Sequence, residues 1–150
     1  MEEYTAKLHL LFETGHPLTL THDDLCEMNF IVDADTHKLN GVIDWADARI
    51  LPFRLRLSAV QSVLGFMDSR GWHYHDDRAV LEQAFWTEFE VLIGASFASQ
   101  KKPIETARAI GVLVQHGFVW QQDKMVPATE ANSDLRYLDA FSSLPRLVEV

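Results

Sequence analysis

His22, Asp24, Asn29 and Asp44 are the residues of this chain whose types and spacing fit a reaction. The first three stand in an H-x-D-x-x-x-x-N pattern inside Thr21-His22-Asp23-Asp24-Leu25-Cys26-Glu27-Met28-Asn29. An apolar run, Phe30-Ile31-Val32, follows. Asp33 to Lys38 is rich in turn formers, Leu39 to Ile43 is a second apolar run, and Asp44-Trp45 comes next. Two apolar runs around a polar turn predict a β-hairpin. In an antiparallel hairpin the start of one strand lies beside the end of the other, about 5 Å away. Asn29 and Asp44 are therefore expected side by side, with Asp24 on the loop leading in. Three oxygen-bearing side chains at one end of a small sheet suit phosphoryl transfer. Mg2+ is a hard cation that prefers oxygen ligands, commonly one or two carboxylates plus substrate phosphates.

The same parts make up the kinase arrangement: a loop Asp that accepts the acceptor hydroxyl's proton, and an Asn and a later Asp for the metal. Asp23 stands where that template has Arg, and Asp44-Trp45-Ala46 stands where it has Asp-Phe-Gly. Leu18-Thr19-Leu20-Thr21-His22, a loop without Arg, and Val42-Ile43-Asp44-Trp45 together resemble the aminoglycoside phosphotransferase family, relatives of choline kinase and of protein kinases. The motif core spans residues 18 to 48. The resemblance implies Asp24 as catalytic base, Asn29 and Asp44 as Mg2+ ligands, and His22 as a residue that braces the loop. It also implies ATP as phosphoryl donor and a small-molecule hydroxyl as acceptor. Taken singly, Asp and Asn before a strand are ordinary turn residues, and an Asp after a strand often caps a helix.

The elements that must position these residues are legible in outline. Residues 2 to 13 carry Tyr4, Leu8, Leu11 and Phe12 at helical spacing, and Gly15 and Pro17 end that helix. Leu55 to Met67 again shows helical spacing. Asp68 to Asp77 is a polar break read as an exposed loop whose Asp residues cap the next helix. Its His73 and His75 lie beside Asp76 and Asp77, but a zinc site needs three or four ligands in fixed geometry. A helix is expected from Arg78 to Ala95, with Leu81, Phe85, Phe89 and Leu92 on one face. Another is expected to start at Pro103, which suits a first turn, and to face Ile104, Ala107, Ile110, Leu113, Val114 and Phe118 inward. Pro127 closes it, Met125 to Ser133 is a linker, and Ser133 or Asp134 caps a last helix. The expected fold is α+β and mainly helical. It is one domain over residues 1–150, similar to a kinase-like C-terminal lobe, with a small hairpin carrying the catalytic loop.

Composition narrows the function classes. A 47% hydrophobic and 23% charged chain is ordinary for a globular protein. Asp and Glu outnumber Lys and Arg by 22 to 13, a net charge of -9, which disfavours nucleic-acid backbones and anionic membranes as partners. One cysteine, Cys26, allows no internal disulfide and favours a reducing compartment, the cytoplasm. Cys26 reads as a loop-packing residue. No apolar run reaches the length of a membrane span, and the acidic start is unlike a secretory signal.

No G-x-G-x-x-G or G-x-x-x-x-G-K-[ST] motif occurs. About 20 residues precede the catalytic loop, and they read as helix, so the resemblance covers the C-terminal lobe and not a nucleotide-clamping N-terminal lobe. The expectation is a truncated lobe completed by a partner or by a separate N-terminal lobe. Two other functions fit less of the pattern. One is a non-catalytic kinase-like remnant acting as a binding module, which predicts an exposed apolar surface. The other is a metal-dependent hydrolase using His22, Asp24, Asp44 and His73 or His75.

Overall fold

Alternating Leu18-Thr19-Leu20-Thr21 forms β1 (Leu18–Thr21), which pairs antiparallel with β4 (Arg49–Pro52) so that Thr21 faces Arg49 and Leu18 faces Pro52. The computed structural model describes residues 9, 17–94 and 97–142. The helix expected over residues 2–13 lies outside them, apart from residue 9. Between the paired strands comes the expected hairpin, β2 (Phe30–Val32) against β3 (Leu39–Val42), with Phe30 opposite Val42 and Ile31 opposite Gly41. Its turn is held by Asp33, whose Oδ1 accepts from the Asp35 and Thr36 amides at 3.1 and 2.7 Å. Two further hairpins follow, β5 (Gly65–Asp68) with β6 (Gly71–Tyr74) and β7 (Phe118–Gln121) with β8 (Lys124–Pro127). The helices are α1 (Arg78–Ile93), α2 (Phe97–His116) and α3 (Asp134–Ser142). Helices with small antiparallel sheets make an α+β chain. No described helix is long and apolar enough to cross a membrane.

One helical segment through the centre organises the rest. Phe53–Val63 is a 3-10 helix of 11 residues, long for that conformation, and eight of its residues are buried. In a 3-10 helix, side chains three apart eclipse one another. Leu55, Ser58 and Gln61 therefore form one row, and it faces α2 and α1. Leu55 packs with Ala107 and Ile110, and Gln61 donates to Glu82 Oε1 at 3.0 Å. A second row contains Leu57, which packs with Trp86, Phe89 and Ile104. The third row, Arg56, Ala59 and Ser62, faces the loop that follows β1. Gly111 lets α2 come close: a Cβ there would clash with the Leu55 carbonyl oxygen.

The Glu82 carboxylate gathers the polar groups of this centre, although Arg78 Nε, Arg108 Nε and Trp86 Nε1 are buried without a hydrogen-bond partner among the described residues. Glu82 accepts from Arg78 at 3.2 Å and from Arg108 at 3.3 Å, besides Gln61. The Arg108 guanidinium also lies 4.7 Å from the Trp86 ring centre. A carboxylate shared this way offsets the cost of burying charge.

The structure corrects several expectations. Leu55 to Met67 is not one α-helix, because Val63 ends the 3-10 segment and Phe66 and Met67 enter β5. Asp68 to Asp77 is not merely a loop: Trp72, His73 and Tyr74 pair with Gly65 to Met67. Asp77 holds the N-cap position of α1 but makes no side-chain capping bond. Trp86 and Phe89 are the buried face of α1, whereas Leu92 is 83% exposed. Pro103 lies inside α2, not at its start, and Phe118 leaves the helix for β7. The stretch read as a linker contributes β8, joined to β7 through Gln122 and Asp123. Both are left-handed (φ 49° and 59°), as a two-residue hairpin turn of type I′ requires.

Candidate active site

The loop from His22 to Asn29 hangs between β1 and β2 and is pinned at several points. His22 is buried. Its Nδ1 accepts from the Asp24 amide at 3.3 Å, so Nε2 carries the ring hydrogen and donates to the Ile43 carbonyl at 2.8 Å. Trp45 meets the ring edge-on, with centres 4.8 Å apart. A 3-10 turn, Glu27–Asn29, then delivers Asn29 into a buried position. Its Nδ2 donates to the Asp24 carbonyl at 2.7 Å and reaches Asp24 Oδ2 at 3.4 Å.

The hairpin does what its sequence predicts. The Ile43 amide donates to the Asn29 carbonyl at 2.9 Å, just outside the Phe30–Val42 pair. Ile43 is thus held through both peptide groups, by Asn29 on one side and His22 on the other. Asp44 leaves from this fixed point with φ 62°, a left-handed conformation that Asp tolerates better than most residues. Trp45 closes the turn, donating from Nε1 to the Val42 carbonyl at 2.8 Å. His22, Asp24 and Asn29 form one hydrogen-bonded cluster, and Asp44 adjoins it through Ile43.

The donor set fits a hard cation. Among the described residues, neither Asn29 Oδ1 nor the Asp44 carboxylate has a hydrogen-bond partner, and Asp24 and Asp44 are both exposed. One amide oxygen and exposed carboxylates are the ligand type that Mg2+ takes together with phosphate oxygens. Asp47 is also exposed, in the turn after Trp45. Burial pushes the Cys26 thiol up, with Asp24 and Glu27 adding to the effect, which suits a packing residue and not a thiolate nucleophile.

Among the described residues, His22, Asp24, Asp44, His73 and His75 do not gather into a hydrolase-type metal centre. His73 Nε2 bonds Asp68 Oδ1 at 2.8 Å on the β5–β6 hairpin, and Phe66 stacks on it at 5.4 Å. Among the described residues, no group of three or more His, Cys, Asp or Glu could hold a metal ion.

Sequence reasoning missed the residues that anchor the loop. Asp23 is buried and ion-paired with both Arg49 and Arg56. Ser62 Oγ donates to the Leu25 carbonyl at 3.0 Å. One signal was present: Arg54 and Arg56 alternate with Leu55 and Leu57, and arginines within an apolar run need acidic or polar partners.

The sequence model of the phosphotransferase enzyme family matches residues 1–85, more than half of the chain. The chain belongs to this family. The match covers all four candidate residues of this phosphotransferase-family chain and ends within α1. Members of the family normally use ATP and Mg2+, and their common activity is kinase-like phosphoryl transfer. No curated protein and no solved structure matches the chain.

Proposed function

We propose that this chain carries the acceptor-side half of a phosphotransferase site, which moves the γ-phosphoryl group of ATP to a hydroxyl on a small molecule. Asp24 takes the hydroxyl proton and orients the oxygen. Asn29 and Asp44 hold Mg2+, and His22 braces the loop. Mg2+ neutralises charge on the phosphate oxygens when bound. The observation that carries this proposal is the double hydrogen bonding of Ile43, which ties the Asn29 and Asp44 ends of the hairpin to the loop bearing Asp24. The nucleotide clamp comes from a kinase-like N-terminal lobe or a partner, in keeping with the lack of a phosphate-binding glycine motif in this sequence. The single, free Cys26 agrees with a cytoplasmic setting.

Thermal unfolding with and without Mg-ATP tests the site, repeated on Asp44→Ala. A ligand that binds only the folded form at a hundredfold excess over Kd adds about 2.7 kcal/mol. A Mg-dependent rise that vanishes in Asp44→Ala supports the assignment. No rise at millimolar nucleotide overturns it for the isolated chain.

A second reading, a non-catalytic binding module, has one observation in its favour. Leu18, Leu20 and Ile50 on the β1–β4 ribbon are 62%, 68% and 69% exposed. It predicts concentration-dependent self-association and binding of an apolar dye, both without nucleotide.

A further inference from the structure

Two adjacent carboxylates in the loop have opposite environments. Asp24 is exposed, whereas the Asp23 side chain is 4% exposed and lies between two guanidinium groups. We propose that Asp23, clamped by Arg49 and Arg56, is the positioning residue that fixes the orientation of Asp24 and Asn29. The proposal rests on the phosphotransferase reading and adds to it a residue that touches no substrate.

Three observations converge on it. Arg49 is the first residue of β4 and pairs with Thr21, so it reaches Asp23 from the strand beside the one that leads into the loop. Arg56 comes from the central 3-10 segment, and its side chain is only 9% exposed. Ser62 lies two 3-10 turns further on and holds Leu25. Residues six apart fall in one row of a 3-10 helix, whereas an α-helix would place them about 120° apart, at about 100° per residue. The 3-10 conformation thus presents Arg56 and Ser62 to the loop as one ridge. The same 3-10 segment packs into the core through Leu55 and Leu57 on its other rows, so the loop's orientation is referred to the core. His22 supplies the other fixed point, at Ile43. With both anchored, the chain between them turns the Asp23 carboxylate inward and the Asp24 carboxylate outward.

Amide hydrogen exchange by NMR tests this together with Mg-ATP titration. The Asp24 amide is bonded to His22 Nδ1 and the Asn29 amide to the Cys26 carbonyl, so both report loop order. In Asp23→Asn, exchange at Asp24 and Asn29 rises at least tenfold and Mg-ATP affinity falls at least tenfold, while exchange within α2 stays unchanged. Arg56→Lys, which keeps the charge, stays within about threefold of the parent on both. Unchanged exchange at Asp24 and Asn29, or a rise shared equally by α2, overturns the proposal. If Asp23→Asn does not fold, Arg56→Gln and Arg49→Gln decide by the same two amides. If the parent chain binds no Mg-ATP, the phosphotransferase reading fails, and the exchange data still settle the positioning role.

Discussion

His22 Nε2 donates to the carbonyl of Ile43, 21 residues away, at 2.8 Å, and the other ring nitrogen accepts the amide of Asp24. One side chain thus joins the loop to the end of β3. Replacing His22 by Ala removes both bonds and leaves the Ile43 carbonyl short of a donor. The expected loss is about 1–3 kcal/mol of stability. Urea unfolding checks it, and the Mg-ATP-dependent rise in melting temperature shrinks in parallel.

Asp44 separates stability from chemistry. Its left-handed backbone costs an alanine about 1 kcal/mol more than an aspartate or glycine. Asp44→Gly is therefore expected to stay within about 1 kcal/mol of the parent in unfolding free energy, because relief of strain offsets the added chain entropy. Asp44→Ala falls below it. Both lose the Mg-dependent nucleotide effect, since neither carries a carboxylate. Chemical denaturation alongside nucleotide titration of the pair gives the answer.

Gly111 lies inside a helix, where Ala is favoured by about 1 kcal/mol on propensity alone. Here the sign reverses. An added methyl group would clash with the Leu55 carbonyl oxygen and meet Ser58 Oγ at 2.8 Å, and the first of these is backbone. Gly111→Ala is expected to destabilise by about 2 kcal/mol or more. Equilibrium unfolding in urea reads this directly. An unchanged midpoint would mean that α2 does not pack on the 3-10 segment as described.

His116 gives a pH dependence whose sign follows from burial. Stacked on Tyr137 at 4.9 Å and away from water, its pKa is lowered from 6.5 to about 4, with Asp134 opposing weakly. The unfolded chain therefore binds the proton more readily between those values. Stability is full above pH 6.5 and falls as pH drops toward 4, by about 3 kcal/mol at most. Unfolding free energies at pH 7 and pH 5 measure the slope, and His116→Phe flattens its share of it.

The hairpin that brings the candidate residues together was legible because its signals are local. Asn29 and Asp44 flank two strands whose apolar pattern and turn residues lie within one short stretch, so pairing geometry alone brings the strand ends together. The centre was less legible. Leu55, Ala59, Val60 and Val63 match a 3.6-residue period nearly as well as a three-residue one over 11 residues. Only packing on α2 distinguishes them. The β5–β6 hairpin escaped notice because its strands carry Asp68 and His73, and Ser69-Arg70 is not a strong turn pair. Phe118 continued the helical apolar pattern of α2 and gave no sign of leaving it. The partners of Asp23 are distant in sequence, and no local pattern pairs a carboxylate with arginines on other elements.

Asp23 and Asp24 are the same amino acid side by side, and the fold gives one to the arginines and the other to solvent. What distinguishes the exposed acid from the ion-paired one is thus its count from His22, not its chemistry. Adding one residue between His22 and Asp23 would shift both carboxylates by one place and take Asp23 out of register with Arg49 and Arg56. For engineering, spacing in this segment is the quantity to preserve, and a library that varies loop length will lose the Asp23 ion pairs sooner than one that varies the exposed side chains of Glu27 or Met28.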